Sequence, residues 1–155
     1  AAIMAGVKYL TLYAFSTENW QRPKEEVDAL LNLFITTTLK ELSQLIENGI
    51  RLESIGDRTQ LPSECRQVLE DAIEQTKSNT KLTLVLAINY SAKQELNYAI
   101  KNIASLVKKG DLEVEDICND IISNNLYTKN IPDPDLLIRT SGEQRLSNLL
   151  LWQLA

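Results

Sequence analysis

The sequence predicts an α/β fold in which a mostly parallel central sheet is flanked by helices. Two segments, residues 7–15 and 82–88, are almost continuously apolar and rich in β-favouring side chains, which is typical of strands buried on both faces. Segments with apolar residues at helical spacing separate the strand-like segments. Strands that alternate with helices in this way form parallel sheets covered by helices.

The helix after the first strand carries the clearest start and stop signals. Pro23 suits a first helical position, Glu25 and Glu26 complement the positive end of the helix dipole, and Gly49 provides a stop. The remaining predicted elements are a strand at 50–56, a helix at 62–78, the strand at 82–88, a helix ending at residue 110, a helix at 114–124, a fourth strand at 136–139 and a final helix from about residue 146.

The composition predicts one folded domain. The chain has 155 residues, of which 44% are hydrophobic and 24% are charged, with a net charge of −5. No run approaches the roughly 18 apolar residues of a membrane span, and the first residues show no secretory pattern, so we expect a cytoplasmic protein. A net negative charge disfavours nucleic acid as a partner, so any bound anion needs a local cluster of donors.

The cysteines and the absence of histidine exclude several kinds of site. Cys65 and Cys118 lie at inward-facing positions of helical patterns, which predicts two buried, reduced thiols rather than a disulfide or a metal site. The chain contains no histidine. A Ser-His-Asp triad, a Cys-His pair and a His-ligated metal are therefore excluded within these residues.

Arginines collect in the loops that follow the strands, where ligands of open parallel sheets bind. Four of the six arginines lie in or beside these loops: Arg22, Arg58, Arg139 and Arg145. Paired guanidinium donors match phosphate oxygens, which favours a phosphorylated ligand. The alternative is that these arginines cap helices or pair at the surface with carboxylates such as Asp57, Asp135 and Glu143.

The loop "STENWQR" and the long helix after it each allow two interpretations. Ser16 could cap the following helix while Trp20 packs at the edge of the core, or both could join Asn19 and Arg22 in one wall of a polar site. The apolar stripe of the helix is typical of core packing, and its length would also allow it to line an elongated hydrocarbon pocket.

Two long blocks, "YLTLYAFSTENWQRPKEEVDALLNLF" and "PDPDLLIRTSGEQRLSNLLLWQLA", resemble the cis-prenyltransferase family, and most of all its bacterial members. The shorter blocks "IGDRTQLP" and "LVLAINYSAKQEL" stand between them in the expected order. The resemblance implies condensation of isopentenyl diphosphate onto an allylic diphosphate such as farnesyl diphosphate, which yields a long cis-polyprenyl diphosphate. It also implies Mg²⁺ as cofactor, a homodimer, a hydrophobic tunnel, and transient membrane contact when the lipid product leaves.

The resemblance also assigns roles to individual residues. Arg139, Arg145 and Ser147 match positions that hold the diphosphate of isopentenyl diphosphate. Asn19 matches a position that helps to remove a proton from the condensing unit, and Glu26 a position near the mouth of the tunnel. Positions for substrate alignment and turnover are matched by Ser16, Asn19, Trp20 and Arg22. The tunnel wall is matched by Val27, Leu30, Leu31 and Phe34, and its floor by Leu82 and Leu84.

Three departures from the family pattern shape the remaining expectations. The family's Asp-Gly-Asn-Gly-Arg-Trp type block does not precede the first strand, and the acidic residue that completes metal binding would follow Ala155. We therefore expect one domain truncated at both ends, with no metal ligand among these residues. In addition, "NYSAKQE" replaces an Asn-Tyr-Gly-Gly-Arg type turn and puts Lys93 in place of an arginine.

Two alternative functions remain open. A non-catalytic partner subunit would keep the fold for dimerisation, although a scaffold has no need for "STENW" or for Arg139 and Arg145. An unrelated Rossmann-like phosphometabolite-binding domain is disfavoured because no glycine-rich loop follows the first strand.

Overall fold

The computed structural model describes residues 1–140, 142 and 145–155. The chain divides into two compact units, Ala1–Tyr90 and Ser91–Ala155. The first unit contains β1 (Tyr9–Ser16), a 3₁₀ turn (Thr17–Gln21), α1 (Lys24–Glu47), β2 (Ile50–Ile55), a 3₁₀ turn (Arg58–Gln60), α2 (Ser63–Thr76) and β3 (Leu82–Tyr90). The second unit contains α3 (Ala92–Lys109), a 3₁₀ turn (Val114–Asp116) and α4 (Asn119–Ser123).

The sheet has three strands in the order β1-β3-β2, and both neighbours run parallel to β3. The register places Leu12 of β1 opposite Leu86 and Leu52 of β2 opposite Leu84. β3 occupies the centre because its side chains are apolar on both faces, and Val85 and Ile88 are fully buried. The predicted class, a parallel sheet flanked by helices, is confirmed.

The core of the first unit lies between the sheet and the helices α1 and α2. Thr76 at the end of α2 is fully buried, and its hydroxyl accepts a hydrogen bond of 2.9 Å from the backbone N–H of Leu52. Cys65 is a buried free thiol, as predicted. The buried cluster consists of Phe15, Val27, Leu31, Leu52, Leu61, Cys65, Leu69, Ala72 and Ile88.

The second unit is organised around α3. Ser91 caps its first turn by accepting from the N–H of Gln94, and Gly110 ends it in the left-handed conformation at φ 78°. Glu95 in that first turn is only 1% exposed, and its carboxylate accepts from the N–H of Tyr127 at 2.9 Å and from Nε2 of Gln153 at 3.0 Å. These bonds tie two later segments of the unit to α3.

The structure corrects the predictions for the last third of the chain. Residues 136–139 form no strand, and Leu136 and Ile138 are 74% and 77% exposed. An apolar run becomes a strand only when a neighbouring strand completes its backbone hydrogen bonds. No described strand pairs with residues 136–139. From residue 145 onward the described chain forms turns rather than the predicted helix.

The predicted helix at 114–124 is also wrong in extent, because a 3₁₀ turn and the short helix α4 take its place. Cys118 is exposed at the N-terminal boundary of α4 rather than buried on an inward face. The inward position predicted for this thiol depended on a helix that continues through residue 118. The helix begins only at Asn119, so that register does not apply.

Candidate functional site

The loop after β1 brings Ser16 and Asn19 together. The side-chain oxygen Oδ1 of Asn19 accepts from the backbone N–H of Ser16 at 2.7 Å and from its hydroxyl at 3.2 Å. Ser16 is the N-cap residue of the 3₁₀ turn and not of the long helix, whose N-cap residue is Pro23, so the predicted cap of that helix is not formed. The two predicted site residues therefore share one polar network at the carboxyl end of β1.

Trp20 lies at the edge of the core and has a specific polar partner. Its ring meets that of Phe15 edge to face, with centroids 5.1 Å apart and an interplanar angle of 73°. Its indole N–H donates to Oδ1 of Asn89 at 2.7 Å. The packing interpretation of Trp20 is thus confirmed, and the hydrogen bond also fixes the rotation of the indole.

Asn89, at the end of β3, joins the three strand ends of the first unit and was missed by the sequence analysis. It is fully buried and adopts the left-handed conformation at φ 46°. Besides binding Trp20, its side-chain amide donates to the carbonyl of Asp57 at 2.8 Å, and its own carbonyl accepts from the Asp57 N–H at 3.2 Å. The only local signal was an asparagine directly after a buried strand, since asparagine tolerates left-handed backbone better than most residues.

Tyr13 extends the polar network below the loop. Its hydroxyl donates to the carbonyl of Tyr90 at 3.2 Å, and the two rings meet edge to face. Burial and the negative charge of Glu18 raise the pKa of Tyr13 to about 12, against the opposing effect of a hydrogen bond with Ser16. At neutral pH the phenol keeps its proton and acts as a hydrogen-bond donor.

Arg22 and Glu26 form an exposed ion pair one helical turn apart. Nη1 of Arg22 lies 3.8 Å from Oε2 of Glu26, and the two side chains are 53% and 58% exposed. Such a pair contributes little stability, so both groups can exchange partners at low cost. Arg22 therefore pairs with a surface carboxylate, as the alternative interpretation of the loop arginines predicts. Asp57, which that interpretation named as a partner for an arginine, accepts hydrogen bonds from the N–H of Thr59 and the amide of Gln60.

The predicted tunnel residues fall into two groups by burial. Val27, Leu31 and Leu82 are at most 5% exposed and serve as core packing. Leu30, Phe34 and Leu84 are half-buried and pack against the core cluster. A separate apolar groove of about 500 Å³ in the second unit contains none of these residues; it is lined by Ile100, Ile103, Ala104, Val107, Lys108, Val114, Ile117 and Ile122.

The three residues predicted to hold a diphosphate form a cluster in the second unit. Nη1 of Arg139 donates to the hydroxyl of Ser147 at 2.7 Å and to the backbone carbonyl of Arg145. All three residues are exposed. Ser141, Glu143 and Gln144, which belong to the same block of sequence, lie outside the described residues. The Arg139 guanidinium and the Ser147 hydroxyl, which are eight residues apart in the chain, are thus in direct hydrogen-bond contact.

The described residues do not fit a metal site by themselves. Within residues 1–140, 142 and 145–155, no three His, Cys, Asp or Glu side chains come close enough to hold a metal ion. In the same part of the chain, no helix is both long enough and apolar enough to cross a bilayer.

Comparison with known proteins shows likeness over the whole chain. A family model described as "undecaprenyl diphosphate synthase" matches residues 1–155. The chain is 52% identical over 155 residues to an isoprenyl transferase of Porphyromonas gingivalis, covering 100% of this chain and 61% of that protein. It is 50% identical over 151 residues to a farnesyl-diphosphate-specific ditrans,polycis-undecaprenyl-diphosphate synthase of Micrococcus luteus, covering 96% of this chain and 59% of that one.

A solved structure has the same fold. The lavandulyl diphosphate synthase of Lavandula x intermedia, in complex with dimethylallyl diphosphate, superposes with a TM-score of 0.94 at 34% identity, covering 98% of this chain and 66% of that one. The chain spans about three fifths of the length of the curated relatives it matches. The match of the family model over residues 1–155 and the 52% identity to a curated isoprenyl transferase show that the chain belongs to the cis-prenyltransferase family.

Proposed function

We propose that the protein carrying this chain condenses isopentenyl diphosphate onto an allylic diphosphate such as farnesyl diphosphate, and forms a long cis-polyprenyl diphosphate such as undecaprenyl diphosphate. In each cycle a carbon–carbon bond forms to the allylic carbon, the allylic diphosphate leaves, and the condensing unit loses a proton. The observation that carries the proposal is the cluster of Arg139, Arg145 and Ser147 in a chain whose residues 1–155 match the family model.

In this proposal the cluster holds the diphosphate of isopentenyl diphosphate. A diphosphate carries several negative charges, and guanidinium groups bind its oxygens with paired, charge-assisted hydrogen bonds. The hydroxyl of Ser147, 2.7 Å from Nη1 of Arg139, adds a donor to the same place. Because all three residues are exposed, the ligand can reach them without disturbing buried packing.

The "STENW" loop is proposed to align the reacting ends. An uncharged amide is a poor base, so Asn19 would orient the group that accepts the proton rather than hold the proton itself. Its contacts with Ser16 limit the positions available to its side chain. Trp20 forms the apolar flank, and Arg22 with Glu26 would exchange their weak surface pair for contacts with substrate.

The growing hydrocarbon is proposed to contact the half-buried residues of α1 and β3. Leu30, Phe34 and Leu84 pack against the core cluster and retain partly exposed surface, which a hydrocarbon chain could cover. Val27, Leu31 and Leu82 support them from within the core. The tunnel formed in this way would limit product length by the bulk of its floor at Leu82 and Leu84.

The remaining elements of the proposal come from family membership. Prenyltransferases of this family generally use a divalent metal ion, and we propose Mg²⁺, which would stabilise the charge of the leaving diphosphate. We also propose a homodimer, a cytoplasmic location and transient membrane contact when the lipid product leaves.

Replacement of Arg139 by alanine tests the proposal. In the protein that carries this chain, Arg139→Ala should weaken isopentenyl diphosphate binding roughly 30-fold, which corresponds to about 2 kcal/mol for one lost charge-assisted contact. The measurement is a calorimetric titration of isopentenyl diphosphate. The matched control is Arg66→Ala, which removes the same charge from α2, outside the strand-end loops. Unchanged affinity in Arg139→Ala would overturn the assignment of this cluster.

A further inference from the structure

Asn148 holds the segment that carries Ser147 on the N-terminus of α3. The backbone carbonyl of Asn148 accepts from the N–H of Ala92 at 2.9 Å, and its side-chain Oδ1 accepts from the N–H of Lys93 at 3.0 Å. Its side-chain amide donates to the hydroxyl of Ser91 at 2.7 Å. One asparagine thus binds three consecutive residues at the start of an 18-residue helix.

These contacts use the donors that helix starts commonly offer to anions. The first four N–H groups of an α-helix lack partners within the helix. In α3, Asn148 takes those of Ala92 and Lys93, and the Ser91 hydroxyl takes that of Gln94. The N–H of Glu95 makes the first bond of the helix itself, to the Ser91 carbonyl. The N-terminus of α3 therefore serves as an anchor for the segment around Asn148 and does not present these N–H groups to a ligand.

The backbone of the anchored segment is unusual. Ser147, Asn148 and Leu150 have φ values of 50°, 61° and 46°, in the left-handed region that residues other than glycine seldom adopt. Such a conformation persists only where surrounding contacts determine it. The hydrogen bonds of Asn148 supply these contacts, and they act on the residue directly adjacent to Ser147.

We infer that Asn148 is a positioning residue for the diphosphate cluster: by binding the start of α3, it sets the backbone of Ser147, whose hydroxyl meets Arg139. The chain of contacts runs from Ser91 to Asn148, through one peptide bond to Ser147, and from its hydroxyl to Nη1 of Arg139 at 2.7 Å. This inference rests on the proposed function, because it deepens the role of the same site. It assigns Asn148 no contact with substrate.

The informative variant is Asn148→Gly in the protein that carries this chain. Glycine adopts the left-handed conformation without strain, so this change removes the side-chain anchors and adds no steric conflict. We expect the KM for isopentenyl diphosphate to rise about tenfold while kcat and the KM for the allylic diphosphate change less than about twofold. Ser91→Ala removes the acceptor of the Asn148 amide, so it should raise the same KM and add little in the double variant.

Three measurements separate the possible outcomes. A purely structural role would lower the thermal midpoint and the active fraction of Asn148→Gly without moving the KM for isopentenyl diphosphate, and that result would overturn the inference. If Asn148→Gly does not fold, Ser91→Ala alone must show the selective rise in KM or the inference fails. Arg139→Ala is measured beside these variants to test the proposed function separately. If Arg139→Ala binds isopentenyl diphosphate with unchanged affinity, the proposed function fails, whatever the Asn148 variants show.

Discussion

Replacement of Asn89 by alanine should destabilise the protein and disturb the "STENW" loop together. Alanine removes the acceptor for the Trp20 indole and the donor to the Asp57 carbonyl, two hydrogen bonds of 2.7 and 2.8 Å. It also puts alanine in the left-handed conformation at φ 46°, which asparagine tolerates better. Because Asn89 is fully buried, water cannot readily replace the lost partners.

The expected loss follows from these terms. Each of the two hydrogen bonds contributes about 1 kcal/mol net, and the left-handed backbone costs alanine about 1 kcal/mol more. The cavity left by the amide adds to this, so the free energy of unfolding should fall by about 3 to 4 kcal/mol. Such a loss is a large fraction of the stability of a typical domain.

Urea denaturation followed by circular dichroism measures this loss in the protein that carries this chain. The matched control is Asn97→Ala on the surface of α3, which should change stability by less than about 0.5 kcal/mol. A double-mutant cycle with Trp20→Phe should return a coupling energy of about 1 kcal/mol for the indole–amide bond. A loss below about 1 kcal/mol in Asn89→Ala, with no coupling to Trp20, would refute the reasoning.

Two further predictions concern the same strand ends. Gly56→Ala should abolish stable folding, because a Cβ at φ 114° would lie 2.1 Å from the Ile88 carbonyl oxygen. The control is Gly6→Ala at φ 78°, where a Cβ meets nothing within 4 Å. Similar thermal midpoints for the two variants would contradict this prediction. Tyr13 has a folded pKa of about 12 against an ordinary value of 10.0, so its stabilising contribution is complete below about pH 10 and is lost as the pH rises towards 12. Urea denaturation at about pH 9 and about pH 11 should therefore show a larger loss for the wild type than for Tyr13→Phe, and equal losses would contradict the assignment.

The regular elements of the first unit could be predicted because their signals are local. β1 and β3 are short apolar runs, and α1 and α2 are helical stripes. The structure keeps these elements and β2 within a few residues of their predicted bounds. The run at 136–139 has the same local signal, yet no described strand pairs with it, and its apolar side chains remain exposed. Hydrophobicity therefore identifies candidate strands, and only pairing decides which of them form.

The sequence by itself determined the fold class, the family and the blocks that carry the chemistry, because these depend on residue types in contiguous segments. Tertiary structure decided how those blocks are held. Trp20 finds its partner 69 residues away at Asn89, and Asn148 finds Ser91 57 residues away. Periodicity does not reveal such pairs, since a hydrogen bond between distant segments depends on which backbone ends the topology brings together. The two asparagines thus look ordinary in the sequence, yet in the folded chain they fix the loops proposed to align and bind the substrates.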